Sequence, residues 1–139
     1  IDLEKIKNQY EKFTFSYEYL SPKKLSEYSV MLSDWSGAAT EFAFGFKRPV
    51  IFIDLKKKVR NFNYKKLNII PFEVSIREKI GKLIKPSEIN NLPSLVENLL
   101  KKDQVIKWES KIENLENKFF FGPKKIESEI DNFLNKNIM

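Results

Sequence analysis

The stretch Ser33-Asp34-Trp35-Ser36-Gly37-Ala38-Ala39-Thr40-Glu41 holds the residues best placed to do chemistry. It follows the apolar run Val30-Met31-Leu32 and precedes Ala38, Ala39, Phe42, Ala43 and Phe46 at helical spacing, so it joins the C-terminal end of a strand to the start of a helix. In open α/β sheets ligands bind at such junctions. Ser36 has a hydroxyl to donate to a phosphate oxygen. Gly37 lets backbone approach closely, and the amides that follow, with the helix dipole, favour an anion. Glu41, about one and a half turns beyond Ser36, carries a carboxylate that can accept hydrogen bonds from both hydroxyls of a ribose. Diphosphate then sugar is the order of groups in a nucleotide. The same residues also suit a plain helix start, with Asp34 or Ser36 as cap, Gly37 packed on the sheet and Glu41 solvated.

The second candidate is cationic. Lys56, Lys57, Lys58, Arg60, Lys65 and Lys66 fall in one segment without an acid, and these six charges equal the net charge of +6. A positive loop after the Val50-Ile51-Phe52-Ile53 strand lies on the same sheet edge as Ser36, where it can face a diphosphate or steer a polyanion. Exposed lysines are also ordinary surface. Phe62 and Tyr64 interleave with the cations, as in single-strand binders. One short patch, 3 Arg against 22 Lys and no binding motif argue against a specific nucleic-acid partner. Glu73 and Arg77 are four apart and can pair across a helical turn; if their segment lines a cleft, Arg77 can instead contact phosphate. Trp35, Trp108 and Phe119-Phe120-Phe121 are expected to pack rather than react.

Composition narrows the chemistry further. The 139 residues include no His and no Cys, which removes disulfides, thiol nucleophiles, Ser-His devices and most zinc sites. No metal-ligand set and no cofactor are expected. An apolar fraction of 42% supports a single folded domain. No apolar run approaches the roughly 18 residues of a spanning helix, and the expected location is cytoplasmic.

These groups must be positioned by an α/β framework. Ile6, Tyr10 and Phe13 suggest a helix over residues 2–13, and Phe13 to Tyr17 alternates like a short strand. Ser21-Pro22 reads as a helix start, with Leu25 and Tyr28 on its inner face. Gly45 and Pro49 are expected to close the helix after Gly37. Val50-Ile51-Phe52-Ile53 is continuous, like a parallel strand covered on both faces, and a right-handed βαβ unit is expected. Val74 to Ile80 suggests a helix and Lys82-Leu83-Ile84 a strand, for four parallel strands in all. From Pro86 on, Leu92, Leu95, Val96, Leu99 and Leu100, then Val105, Trp108, Ile112, Leu115 and Phe119, then Ile126, Ile130, Phe133 and Leu134, mark amphipathic helices. The fold class is α/β, a small parallel sheet with flanking helices and a helical C-terminal third.

Residues Val30 to Phe44, with Asp34-Trp35-Ser36 and the downstream Glu41, resemble a signature of the CDP-glycerol glycerophosphotransferases, a family that includes teichoic acid and capsule polymerases. Arg48-Pro49-Val50-Ile51-Phe52-Ile53-Asp54 resembles that family's next strand, and Pro71 to Gly81 a later segment. The resemblance spans roughly residues 13–100. It implies a GT-B architecture of two Rossmann-like domains, with this chain as the C-terminal, donor-binding half. It implies that Ser36 and Gly37 hold the donor diphosphate, with Asp34 as a lesser contact, and that Glu41 holds the ribose. Lys56, Lys57, Lys58, Arg60 and Arg77 become possible phosphate or acceptor contacts.

The implied reaction transfers glycerol phosphate, or a related alditol phosphate, from a CDP-alcohol to a lipid-linked phosphate polymer at the inner membrane face, which makes peripheral association with that membrane surface an implied option for a cytoplasmic chain. The family's histidine motifs have no counterpart here, so the general base is expected in an N-terminal domain outside this chain. The first residue, Ile1 rather than Met, fits a C-terminal fragment. Two alternatives remain: the donor half of a sugar-nucleotide-dependent GT-B glycosyltransferase, and a non-catalytic α/β nucleotide-binding or interaction module. Within the second, a receiver-like switch at Asp34 would need an acidic pair and a lysine that Glu18 and Lys85 imitate poorly.

Overall fold

The computed structural model describes residues 8–10, 12, 14, 16–18, 20–56, 66, 69–119 and 123–137. Three short strands make the sheet seen among them: β1 (Met31–Ser33), β2 (Val50–Ile53) and β3 (Gly81–Ile84), in the order β1-β2-β3. Both pairings are parallel, with Met31 opposite Val50, Ser33 opposite Phe52, and Ile53 opposite Ile84. β2 is central, which explains its unbroken apolar sequence: Val50, Ile51 and Phe52 are all buried.

Helices connect and cover the strands. α1 (Pro22–Leu25) starts as its sequence dictates, with Ser21 Oγ accepting from the Lys24 amide at 3.3 Å and Pro22 in the first turn. The carbonyls that follow it, of Ser26 and Tyr28, accept from Arg48 Nη1 at 2.6 and 2.5 Å, which ties α1 to the approach to β2. α2 (Ala38–Phe46) buries Ala39, Phe42, Ala43 and Phe44. It does not close at Gly45, which lies inside it; Lys47 takes the left-handed cap position (φ 55°). The Lys47 side chain offsets the cost of that backbone by donating to the Phe44 carbonyl and pairing with Glu116 at 2.7 Å.

α3 (Phe72–Ile80) begins two residues before its apolar spacing indicates. Phe72 is recruited by a tertiary contact, an edge-on packing of its ring against Phe119 at 5.6 Å between centroids. α3 then passes directly into β3 at Gly81. A Cβ there would collide with the carbonyl oxygen of Val50, so only glycine lets the two backbones approach this closely. A 3₁₀ turn (Pro86–Asn91) leads to α4 (Leu92–Leu99), and α5 (Lys102–Phe119) packs on α2, α3 and α4 through buried Trp108 and Ile112. α6 (Pro123–Asn137) leaves Ile126, Ile130, Phe133 and Leu134 exposed.

The architecture is α/β, a small open parallel sheet with flanking helices. The fourth strand expected over Phe13 to Tyr17 does not form at the residues that are described. Thr14, Ser16 and Tyr17 lie outside any strand, and Tyr17 is 88% exposed. Alternation over five residues supplies neither a paired edge nor an apolar surface to cover. The helix expected over 2–13 falls largely outside the described residues, as do Phe120 and Phe121. Among the described residues no helix is long and apolar enough to cross a membrane.

Candidate functional site

β1 ends at Ser33, and the chain turns through Asp34 and Trp35 before Gly37 takes the N-cap position of α2. The helical ladder begins with the Ala39 amide on the Ser36 carbonyl (3.2 Å) and the Thr40 amide on the Gly37 carbonyl (2.9 Å). The amides of Gly37 and Ala38 precede that ladder, the position where a helix presents N–H groups to an anion. Ser36 is exposed, and its hydroxyl makes no hydrogen bond among the described residues.

Arg77 reaches this junction from the buried face of α3. Its side chain is in the interior, with the residue only 4% exposed. The guanidinium carbon lies 3.8 Å from the centroid of Trp35 and 4.9 Å from that of Phe52. Nη1 donates to Asp54 Oδ1 at 3.2 Å, and Nη2 to the Ile53 carbonyl at 3.5 Å. Its Nε, also buried, has no partner among the described residues. A planar, weakly hydrated cation tolerates this place between two rings where an ammonium would not. Trp35 is held in turn, its Nε1 donating to the Leu55 carbonyl at 2.9 Å.

Arg77, Trp35, Phe52, Ser36, Gly37 and Thr40 line one small cavity of about 50 Å³, with Asp34 and Glu73 at its wall. Since a water needs roughly 10–15 Å³ of such space, it has room for a few waters or one tetrahedral oxyanion. Its chemistry is mixed. Helix amides, a hydroxyl and a guanidinium suit phosphate oxygens, while Asp34 and Glu73 can accept from hydroxyl or amino groups. Among the described residues no three carboxylates gather to hold a metal ion.

Residues far apart in sequence therefore meet here: Asp34, Ser36, Gly37 and Arg77 share the cavity. Glu41 stands in the first turn of α2, exposed and outside the cavity lining; Thr40 occupies the wall instead. Lys56 is exposed just beyond Leu55, at the same sheet edge, whereas Lys57, Lys58 and Arg60 lie outside the described residues. The expected ion pair of Arg77 with Glu73 is corrected: the guanidinium pairs with Asp54, because burial turns it under the sheet edge rather than along its own helix surface. Asp54 and the packing role of Trp35 against a cation went unread in sequence. Asp54's position immediately after a buried strand was the available signal. Compared with protein-family models, curated proteins and solved structures, the chain matches none.

Proposed function

We propose that this chain is the Rossmann-like donor-nucleotide-binding half of a GT-B transferase that moves glycerol phosphate, or a related alditol phosphate, from a CDP-alcohol to a phosphate polymer. One observation carries the reading: a buried guanidinium, whose Nε has no partner among the described residues, lies in the same cavity as the open N-terminus of α2 and Ser36. The mixed lining suits a ligand bearing both phosphates and hydroxyls, as CDP-glycerol does. The resemblance of Val30 to Phe44 and Arg48 to Asp54 to the CDP-glycerol glycerophosphotransferases supports a CDP-alcohol as the donor.

In that reaction an acceptor hydroxyl oxygen attacks the donor's β-phosphorus. The bond from that phosphorus to the bridging oxygen breaks, and CMP leaves with the oxygen. The hydroxyl proton passes to a base outside this chain. Ser36, the Gly37 and Ala38 amides and Arg77 stabilise the negative charge that gathers on the leaving CMP phosphate. Glu41 reaches the ribose from the first turn of α2, and the lysines from Lys56 onward draw in the anionic acceptor.

Calorimetric titration with CDP-glycerol, CDP, UDP and CMP tests this. CDP species bind and CMP binds more weakly; Ser36→Ala costs about 1–3 kcal/mol of binding, as for a lost charge-assisted hydrogen bond. Equal binding of CDP by wild type and Ser36→Ala sinks the assignment of the diphosphate to this junction.

A further inference from the structure

A second cationic hollow opens beside β3. On α5, Gln104, Lys107, Trp108 and Lys111 recur at helical spacing and so share one face, and β3 brings Lys82 against it. Between them lies a cavity of about 430 Å³, within the roughly 300–1,000 Å³ of small-molecule sites. The Lys111 ammonium sits 4.2 Å from the Trp108 ring centroid and that of Lys82 6.0 Å from it. Glu78 is the one acid in the lining. Among the described residues none of the three lysines forms an ion pair.

Three like charges converging on one hollow work against the fold. Lys107 and Lys111 repel across a helical turn, and Lys82 adds a third charge from the sheet. Partial burial, then repulsion from Lys82 and Lys107, lowers the Lys111 pKa from its ordinary 10.5. A bound anion would relieve all three. Trp108 is 5% exposed and the Lys111 ammonium lies over its ring, which leaves little ring surface for a base to stack on, and recognition here rests on charge and a compact shape.

We propose that this hollow binds a multivalent oxyanion, a phosphoryl or diphosphoryl group, held by Lys82, Lys107 and Lys111 with the Gln104 amide at the rim. The site is separate from the Arg77 cavity and does not depend on the donor reading. The group is carried by a soluble phosphate compound or by a lipid headgroup.

The test follows the whole chain by residue-resolved NMR, using backbone amides and lysine ε-carbon signals, during titration with inorganic pyrophosphate. A parallel arm measures co-sedimentation with phosphatidylglycerol-containing vesicles. The expected result is saturable perturbation of Lys82, Gln104, Lys107 and Lys111, with the Lys111 titration moving to higher pH. Lys107→Gln/Lys111→Gln weakens binding by about tenfold or more, while the control Lys23→Gln/Lys24→Gln changes it less than about twofold, as for a remote exposed charge. Thermal melting confirms that both variants fold. A vesicle response with this dependence, without a pyrophosphate response, assigns the group to a headgroup; the converse assigns it to a soluble phosphate. The proposal is overturned if neither probe binds, or if the control pair weakens binding as much as the Lys107 and Lys111 pair does.

Discussion

The two cationic places of this molecule are built in opposite ways. Arg77 is buried between Trp35 and Phe52 and paired with Asp54, so removing it disturbs the fold itself. Lys107 and Lys82 are exposed around a recessed Trp108, and no acid pairs with them among the described residues. A guanidinium can be desolvated and stacked, whereas an ammonium keeps its water and stays at the rim. The fold buries and pairs the first cation; from the second group it draws, among the described residues, only the contacts of Lys82 and Lys111 with the Trp108 ring. Stability alone accounts for much of Arg77; it does not account for three converging lysines.

The largest expected effect falls on the residue that joins the two regions. Gly81→Ala drives a methyl group into the Val50 carbonyl, and because α3 and β3 meet there, it displaces Arg77 and Lys82 together. A loss of about 3 kcal/mol in urea denaturation is expected. A loss below 1 kcal/mol, by the same principle about the level of a tolerated change, would mean that the α3–β3 junction adapts freely.

Next comes the Arg77 pair, and its two halves are unequal. Asp54→Ala leaves a buried guanidinium without its counter-ion and costs about 2–3 kcal/mol. Arg77→Met costs less, about 1–2 kcal/mol, since methionine fills the slot between the rings and Asp54, whose side chain is 47% exposed, returns to water. The reverse order in chemical denaturation would show that ring packing, not the ion pair, dominates.

The lysine hollow should respond weakly and with opposite sign. Lys111→Gln is expected to stabilise the free protein by about 0.3 kcal/mol at low salt, through loss of like-charge repulsion, and the gain should fade in about 1 M salt. Unchanged melting at low salt would remove the repulsion argument. The same group gives a pH dependence. The Lys111 pKa is lowered in the folded state, so just below pH 10.5 the unfolded chain holds more protons at this site than the folded one. This lysine's share of stability therefore rises as pH climbs from the folded pKa towards 10.5, and the slope disappears in Lys111→Gln.

Much of this framework was legible in the chain. The Val50 to Ile53 run announced a central strand, Ser21-Pro22 a helix start, and Leu92 to Phe119 amphipathic helices, because each pattern is local and repeats with its element's own period. The Ser33 to Glu41 junction was legible as a strand-to-helix turn for the same reason. The Phe13 to Tyr17 strand misled because alternation records a preference, and a strand exists only where another edge accepts its hydrogen bonds. The closure of α2 at Lys47 misled in a different way, since a distant acid, Glu116, supports a backbone shape that glycine would otherwise be expected to supply.

By itself, then, the sequence determined most of the segments that become helices and strands, the inward faces of α2 and α5, and that this chain contributes no histidine or cysteine to any chemistry. Only the tertiary structure decided that Arg77 meets Asp54 and Trp35 rather than Glu73, and that Lys82 joins Lys107 and Lys111 around one hollow. The physical reason is range. Periodicity and capping act over a few residues, whereas a buried cation takes whichever partner the packing of separate elements brings within reach.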